Sequence, residues 1–344
     1  MDGSLKTLAQ HAAENAPPPP EIAIYRKAVQ ELTRKLQARQ SGEQAIKDAI
    51  LEAYRHPPDL TIPKAPKIAG RGSPEIAVLH FSDGQIGKTT ASFNTAVAEV
   101  RVTRAVALAA KIAELRRSRA KIERLVILMG GDEIEGESIF PGQAHQIDSG
   151  VFEQIKKAPE IYARAFLFLL QHFKQIDVYE VPGNHGRAAP RAQGSHPKTN
   201  WDNVCHLVLR TMLQPAGKRI EWHPNEHWFQ VFETFGHKHL LVHGDQIRGG
   251  FAGFPWYGVG RKALAWGESI PEWTGQPRYL WHGHFHQCTS WPVGQIRVLG
   301  NGSLESHNEY ARAEFGQMGQ PEQRLAFFGP DHGLIADCPL YLGD

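Results

Sequence analysis

The chain has 344 residues, 41% of them hydrophobic, and a formal net charge of +2 at pH 7. These values are typical of a soluble globular protein with one large or two ordinary domains, and they neither require nor exclude a polyanionic partner. The three cysteines are far apart with no C-x-x-C pair, so neither a disulfide framework nor a zinc ribbon is indicated. No apolar run approaches the roughly 20 residues of a membrane span. The first residues lack the pattern of a signal peptide, so we expect a cytoplasmic protein.

Residues 1–74 are predicted to form a helical appendage followed by a proline-rich linker. Apolar residues recur at helical spacing between residues 21 and 56, and Ser41–Gly42 interrupts the pattern, so two helices are predicted there. The stretch HPPDLTIPKAPKIAGRGSP, at 56–74, is rich in proline and basic residues, as linkers are. The main domain is therefore expected to span residues 75–344.

From residue 75 onward, predicted strands alternate with predicted helices. The strands lie at 75–83, 124–132 and 176–185, and the helices at 95–119 and 151–174. This order is typical of βαβ units around a buried, mainly parallel sheet. The second half contains further strands joined mostly by loops, at 228–234, 237–245, 278–284 and 295–303. The predicted fold class is α/β, with antiparallel or mixed strands added by the second half.

Polar residues that can bind a metal follow five of these strands, each beside a glycine. They are Asp83 and Gln85, Asp132, Asn184 and His185, His243, and His284 and His286. Because ligands in open α/β folds bind beyond the carboxyl ends of strands, we expect the five strand ends to form one site. Carboxylate, imidazole and amide donors without thiolate favour Mn, Fe, Zn or Co. The donors are too many for one ion, and two ions about 3.5–4 Å apart form the usual clamp for displacement at phosphorus.

The ordered motifs DGQ, GGDEIEG, GNHG, VHGD and GHFH resemble those of the calcineurin-like metallophosphoesterase superfamily. The family pattern is D-x-H, G-D, G-N-H, H and G-H-x-H, and the match spans roughly residues 76–303. The resemblance implies a two-sheet α/β sandwich flanked by helices. It also implies an enzyme that hydrolyses phosphoric esters with two divalent metal ions, Mn as the first choice and Fe, Zn or Co as alternatives.

The resemblance further implies a role for each matched residue. One ion would be held by Asp83, Gln85 and His286, the second by Asn184, His243 and His284, with Asp132 bridging both. A hydroxide held between the ions would attack phosphorus in line, while His185 would steady the transition state and protonate the leaving group. Gln85 departs from the pattern, which has histidine there. Its neutral amide is a weaker ligand, which predicts a less tightly bound first ion or a different ion preference.

Neighbouring polar residues have competing interpretations. Asp245 could orient a ligand histidine or serve only in a turn, and Arg187 could clamp a substrate phosphate or face solvent. His282 is predicted to be structural. His237 and His239 alternate on a strand and are predicted to lie at an edge or on an exposed face.

The segment 248–266 interleaves cations with aromatic residues, the combination that grips single-stranded nucleic acid. Its candidate substrate-binding residues are Arg248, Trp256, Tyr257 and Arg261. The alternative is a helix-containing insertion whose aromatic residues belong to the core. The stretches GNHG, NWDNVCHLVLRTML and HGDQIRGG also resemble metallophosphoesterases of bacteriophages and prophages, which implies a role in nucleic-acid metabolism within a bacterial cell.

These observations favour a nuclease or phosphodiesterase that acts on DNA, and two other functions stay open. A small-molecule phosphodiesterase would degrade a nucleotide in a small, closed pocket. A binding or scaffold module would keep the fold with weak catalysis. The intact ligand set argues against the module, and Gln85 is the one feature in its favour.

Overall fold

The computed structural model describes residues 60–70, 72–188, 199–248, 254–275, 278–305 and 320–343, together with Glu31 and Asp48. The chain divides into two compact units, Met1–Ala53 and Tyr54–Asp344, and every element below belongs to the second. Apart from Glu31 and Asp48, the predicted helices within residues 21–56 lie outside the described residues. The N-terminal appendage and its boundary at residue 74 therefore stay predictions. None of the helices in the described ranges combines the length and hydropathy needed to cross a bilayer.

The strands are β1 (Pro74–Phe81), β2 (Lys121–Met129), β3 (Gln175–Glu180), β4 (Ile220–His223), β5 (Phe229–Thr234), β6 (His237–Val242), β7 (Arg278–His282), β8 (Thr289–Val293), β9 (Ile296–Gly300), β10 (Glu322–Gly329) and β11 (Gly333–Tyr341). They form a six-stranded sheet in the order β11-β10-β1-β2-β3-β4 and a five-stranded sheet in the order β5-β6-β7-β9-β8. In the first sheet β1 to β4 are parallel, and β10 and β11 add an antiparallel edge. In the second sheet β6, β7 and β9 are parallel, and β5 and β8 pair antiparallel at the two edges.

Within the described residues, four α-helices connect the strands: α1 (Thr95–Arg116), α2 (Val151–Leu169), α3 (Trp201–Met212) and α4 (Trp256–Ser269). The first three join successive parallel strands of the first sheet, and α4 joins β6 to β7. Asn94 caps α1 by accepting a hydrogen bond from the Val97 amide at 3.0 Å, the interaction that N-terminal asparagines favour. The helices α1 and α2 begin at the predicted residues 95 and 151 and end three and five residues early, at the turns around 117–120 and 170–174.

The two sheets pack face to face, and helices cover their outer faces. Phe166 of α2 stacks on Trp222 of β4, which places α2 against the outer face of the first sheet. The buried residues between the sheets come from both: Ile76, Val78, Val126 and Leu128 from the first, and Phe232, Leu241, Trp281 and Leu299 from the second. A second cluster joins α4 to the other face of the five-stranded sheet through Val259, Ala263, Leu240 and Val298. The predicted two-sheet α/β sandwich with flanking helices is confirmed.

The prediction that His237 and His239 lie at an edge or on an exposed face is wrong, since both are buried. His239 Nδ1 accepts a hydrogen bond from the Trp281 indole at 3.0 Å, so its proton is on Nε2 and is donated to the Thr234 hydroxyl at 2.8 Å. Burial keeps the pKa of His239 well below its usual range, so the ring stays neutral. These two hydrogen bonds satisfy the imidazole inside the sandwich, which lets a polar residue occupy a core position.

Candidate metal centre

Five of the predicted metal-binding residues have a left-handed backbone. Their φ angles are 54° at Asp83, 44° at Gln85, 57° at Asp132, 68° at His284 and 53° at His286. In the described part of the chain, Phe235 is the one other non-glycine residue with positive φ. Such conformations cost on the order of 1–3 kcal/mol each and persist where the surrounding structure fixes them, most often at functional sites. Their concentration here indicates that the loops are shaped to aim these side chains.

The topology brings the five strand ends together. The loops after β1, β2 and β3 leave the same edge of the first sheet because these strands are parallel. A Cβ on Gly183 would lie 2.1 Å from Asp132 Oδ1, so only glycine lets the β3 loop approach the β2 loop this closely. The amide of His185 then donates to Asp132 Oδ1 at 2.7 Å. Gly283 donates its amide to the His243 carbonyl at 2.8 Å, which joins the loops after β6 and β7.

The first cluster, called the Asp132 group, contains Asp132, Asn184, His243 and His284. His243 Nε2 lies 3.0 Å from Asp132 Oδ2 and 3.1 Å from Asn184 Oδ1, and its Nδ1 lies 2.9 Å from the Gly130 carbonyl. Because only Nδ1–H can donate to that carbonyl, Nε2 is the nitrogen directed at the centre. Single ligand atoms of Asp132, His243 and His284 all lie within 4.8 Å of one another.

The ionisation of the Asp132 group suits a bound cation. Burial and the neighbouring His243 lower the pKa of His284 to about 3, so its imidazole is neutral, the form that binds metals. Burial alone would lower the pKa of His243, but the Asp132 carboxylate outweighs it and raises that pKa well above the usual range. A proton on His243 therefore balances Asp132 when no cation is bound, and a divalent ion would displace it. One carboxylate, two imidazoles and one amide fit the borderline divalent ions named above.

The second cluster, called the Asp83 group, contains Asp83, Gln85 and His286. His286 Nε2 lies 3.3 Å from Asp83 Oδ1 and 3.4 Å from Gln85 Nε2. The His284 amide donates to both oxygens of Asp83 at 3.0 Å, which connects the two groups. Burial opposes ionisation of Asp83, but the hydrogen bond and charge of His286 lower its pKa. The structure thus brings together all seven predicted ligands, and their metal-binding roles stay predictions.

His185 is paired with Glu135, a residue that the sequence analysis did not assign. Its Nδ1 lies 3.0 Å from Glu135 Oε2, and Glu135 is fully buried. The Gln143 side chain donates to Glu135 Oε1 at 3.1 Å and holds the carboxylate in place. Burial alone would lower the pKa of His185, but the charges of Glu135 and Asp132 outweigh it and raise that pKa to about 9. His185 is therefore protonated at neutral pH, as a general acid must be.

Replacing Glu135 with glutamine should move the alkaline limb of the pH–rate profile to lower pH. An acid is active while protonated, so activity should fall as the pH rises through the pKa of His185, which the Glu135 charge raises. Glu135→Gln removes the charge that raises this pKa. The check is diester hydrolysis between pH 6 and pH 10, with Glu153→Gln, an exposed glutamate of α2, as the matched control. An unchanged alkaline limb in Glu135→Gln would contradict the assignment.

Asp202, at the start of α3, forms hydrogen bonds with the backbone of two ligand loops, those after β2 and β3. Its Oδ2 accepts hydrogen bonds from the amides of Asp132 at 3.0 Å and Gly183 at 2.8 Å. Asn200, which caps α3, donates its side-chain amide to the Gly183 carbonyl at 2.7 Å. The start of α3 therefore sets the separation of the β2 and β3 loops. This role of Asp202 was not predicted from the sequence, because no helix was assigned to residues 201–212.

A buried ion pair lies behind these loops. His206 Nε2 is 3.1 Å from Glu133 Oε1, and both side chains are almost fully buried. Burial alone would lower the pKa of His206, but Glu133 and Glu180 outweigh it and raise that pKa to about 9. The pair therefore stabilises the fold through a protonated imidazole.

His206→Gln should lower the free energy of unfolding by about 3–5 kcal/mol near pH 6, because it leaves the Glu133 carboxylate buried without a cation. The folded pKa of about 9 exceeds the ordinary 6.5. The stabilisation is thus complete below pH 6.5 and lost as the pH rises through 9. Urea unfolding at pH 6, 7.5 and 9 should show the difference from the wild type shrinking. A difference that is constant with pH would refute the ion-pair origin.

Arg187 is engaged in an ion pair and is not a free loop arginine. Its guanidinium pairs with the Asp245 carboxylate, which joins the GNHG loop to the HGD loop. Asp245 also accepts a hydrogen bond from the Gln246 side chain at 2.6 Å. Among the described contacts, Asp245 therefore positions Arg187 and not a ligand histidine. Whether Arg187 contacts a substrate phosphate stays a prediction.

The described aromatic residues of the 248–266 segment divide into two sets, and Phe251 lies outside the described residues. Phe254 and Trp266 belong to the core beneath α4, as the alternative interpretation of the segment predicted. Trp256 and Tyr257 are 50% and 80% exposed, and Arg248 and Arg261 are exposed as well. The Phe254 ring contacts Phe285, between His284 and His286, and also contacts Trp256. The exposed aromatic start of α4 thus lies beside the loop that carries two predicted ligands.

Comparisons with known proteins gave structural likenesses alone: no family model and no curated protein matches the chain. An archaeal phosphodiesterase has a TM-score of 0.36 at 11% identity, covering 78% of this chain and 99% of its own. Vacuolar protein sorting 29 of Cryptosporidium parvum has a TM-score of 0.36 at 13% identity, covering 78% and 98%. A putative 5′-nucleotidase of Staphylococcus aureus has a TM-score of 0.37 at 13% identity, covering 78% and 55%.

At these identities and TM-scores, the activity of this chain has to be argued from its own residues. The resemblance to bacteriophage and prophage members is not supported by these likenesses and stays a prediction.

Proposed function

We propose that the chain is a metal-dependent phosphoesterase that hydrolyses phosphodiester bonds. The observation that carries this proposal is the convergence, on one edge of the sandwich, of the Asp132 group, the Asp83 group and the His185–Glu135 pair. Metal-binding donors beside a protonated histidine are suited to the hydrolysis of a phosphate ester, because bound ions would stabilise the developing charge and the histidine would protonate the leaving oxygen. A structural metal site would need the donors but not the adjacent acid.

The side chains have distinct tasks in this mechanism. Bound divalent ions would polarise the phosphate oxygens and activate a water molecule as nucleophile. His185 donates a proton from Nε2 to the departing ester oxygen, because Nδ1 faces Glu135. Glu135 keeps the ring charged and oriented while the leaving group departs. Asp202 and Gly183 hold the two loops at the separation this geometry needs.

DNA is the proposed substrate, and the exposed start of α4 supports this choice. Trp256 and Tyr257 offer aromatic faces for base stacking, and Arg248 and Arg261 offer cations for the backbone. Aromatic stacking contributes about 1–3 kcal/mol per base in single-strand binding. A bacterial cytoplasmic location and a phage or prophage origin are compatible with this role and rest on the sequence alone.

The test is hydrolysis of bis-p-nitrophenyl phosphate and of labelled single- and double-stranded DNA by the manganese-loaded chain, with His185→Ala as the inactive reference. Trp256→Ala/Tyr257→Ala should weaken DNA cleavage and leave the small diester unaffected, while Tyr341→Ala, an exposed tyrosine of β11, should change neither. Hydrolysis of the small diester without any DNA cleavage would overturn the DNA assignment and favour a nucleotide substrate. No turnover with metal bound would favour a binding module.

A further inference from the structure

Lys88 and Glu305 form a buried ion pair beside the Asp83 group. Lys88 Nζ lies 2.9 Å from Glu305 Oε2, and the two side chains are 4% and 2% exposed. Glu305 Oε2 is also 3.9 Å from His286 Nδ1, on the opposite side of the ring from the candidate ligand nitrogen. A buried positive charge therefore lies next to the position where a cation would bind.

Lys88 also fixes the orientation of the Gln85 amide. Its ammonium group donates to Gln85 Oε1 at 3.2 Å, so the amide oxygen faces Lys88 and the amide nitrogen faces His286 Nε2 at 3.4 Å. An ammonium group has no acceptor, so reversing the amide would set two donors against each other. The Gln85 oxygen is thus engaged by Lys88, and the amide nitrogen of Gln85 lies beside His286 Nε2, the ring nitrogen that also faces Asp83.

The two groups consequently fit a cation unequally. The Asp132 group directs a carboxylate, an amide oxygen and a correctly oriented imidazole at one point. In the Asp83 group the amide oxygen is engaged elsewhere, and the charge of Lys88 repels a second cation across a poorly solvated interior. The Glu305 carboxylate pairs with Lys88 and offsets its charge, while the hydrogen bond from Lys88 Nζ keeps the Gln85 amide oxygen engaged.

We propose that Lys88 makes the centre asymmetric. The Asp132 group binds one divalent ion tightly, and the Asp83 group binds a second ion weakly because the Lys88 ammonium already places a positive charge beside it. This inference rests on the metal-dependent function proposed above and adds Lys88 as the residue that determines ion occupancy. In this arrangement Lys88 is a positioning residue, since it holds the Gln85 amide, and its charge acts in the same direction.

The test is titration of the chelator-stripped full chain with Mn²⁺, followed by calorimetry and electron paramagnetic resonance. The wild type should bind one equivalent tightly and show the spectrum of isolated Mn²⁺, with a second equivalent at least about tenfold weaker. Gln85→His restores an imidazole, and Lys88→Met/Glu305→Gln removes both buried charges together so that neither is left unpaired. Both variants should strengthen the second equivalent by about 10–100-fold and give the spectrum of coupled ions.

The matched control is Lys156→Met, which removes an exposed lysine of α2 and should leave both equivalents unchanged. Two equal, tight equivalents in the wild type, or no strengthening in either correctly folded variant, would overturn the inference and leave the proposed function intact. Absence of Mn²⁺ binding in every protein would contradict the proposed function itself.

Discussion

Asp132→Asn is expected to remove both metal binding and diester hydrolysis. The Asp132 carboxylate contacts His243 directly and accepts a hydrogen bond from the His185 amide, so it lies at the meeting point of the ligand groups and the acid. Losing about 4 kcal/mol of transition-state stabilisation lowers the rate by about a thousandfold. We therefore expect at least this loss in kcat/KM, measured with bis-p-nitrophenyl phosphate, together with loss of tight Mn²⁺ binding.

The matched control is Asp331→Asn, an exposed aspartate in the turn before β11. Circular dichroism should show that Asp132→Asn is folded, since a carboxamide has almost the same shape as a carboxylate. An Asp132→Asn protein that binds Mn²⁺ normally and retains activity would show that Asp132 is not a ligand.

His185→Ala is expected to reduce hydrolysis by about 10²–10⁴-fold, the usual contribution of general acid–base catalysis. Metal affinity should stay close to that of the wild type, because the His185 imidazole is not a predicted ligand: its Nδ1 pairs with Glu135, its Nε2 lies 4.0 Å from Asp132 Oδ2, and the backbone amide that donates to Asp132 is kept in the variant. The two variants therefore separate the roles: Asp132→Asn loses metal and activity, whereas His185→Ala loses activity alone.

The nature of the leaving group sharpens this prediction. p-Nitrophenolate departs readily without a proton, whereas an alkoxide does not, so the loss in His185→Ala should be larger for a nucleotide diester than for bis-p-nitrophenyl phosphate. His332→Ala, in the exposed turn before β11, is the matched control. Equal losses on both substrates would mean that His185 does not act as an acid toward the leaving oxygen.

The first half of the fold could be predicted because its signals are local. The strands β1, β2 and β3 contain apolar residues typical of buried strands and are followed by the short motifs that carry Asp83, Asp132 and Asn184, and α1 and α2 show helical periodicity. The edge formed by β10 and β11 could not. These strands follow the last motif, and β10 pairs with β1 across more than 240 residues, a contact that no local pattern encodes.

The histidine at position 239 shows why burial was mispredicted. His237 and His239 lie on the same face of the strand because they are two residues apart, and two polar residues on one face are typical of an exposed face when polarity alone is considered. Trp281 and Thr234 satisfy both ring nitrogens inside the sandwich, and Trp281 reaches this position from a different strand. Hydrogen-bond satisfaction, not polarity, decided where the residue lies.

In the candidate site too, residues in local motifs could be predicted from the sequence, whereas residues joined by long-range contacts could not. The seven predicted ligands stand in short motifs beside glycines, so the sequence located them and the topology brought them together. Lys88 and Glu305 are separated by 217 positions, and the clamp from Asp202 to the Asp132 amide spans 70. Glu135 could have been predicted from a local signal. It lies three residues after Asp132 in GGDEIEG, and an acidic residue in this tight loop can reach the neighbouring His185.

Metal dependence of diester hydrolysis tests the central claim most directly. The full chain is treated with a chelator, dialysed, and assayed with bis-p-nitrophenyl phosphate before and after Mn²⁺ is restored. The converging carboxylate, imidazole and amide donors predict no activity above the Asp132→Asn background in the stripped protein and full recovery with Mn²⁺. Hydrolysis that survives stripping, with no metal detectable by elemental analysis, would contradict a metal-dependent centre.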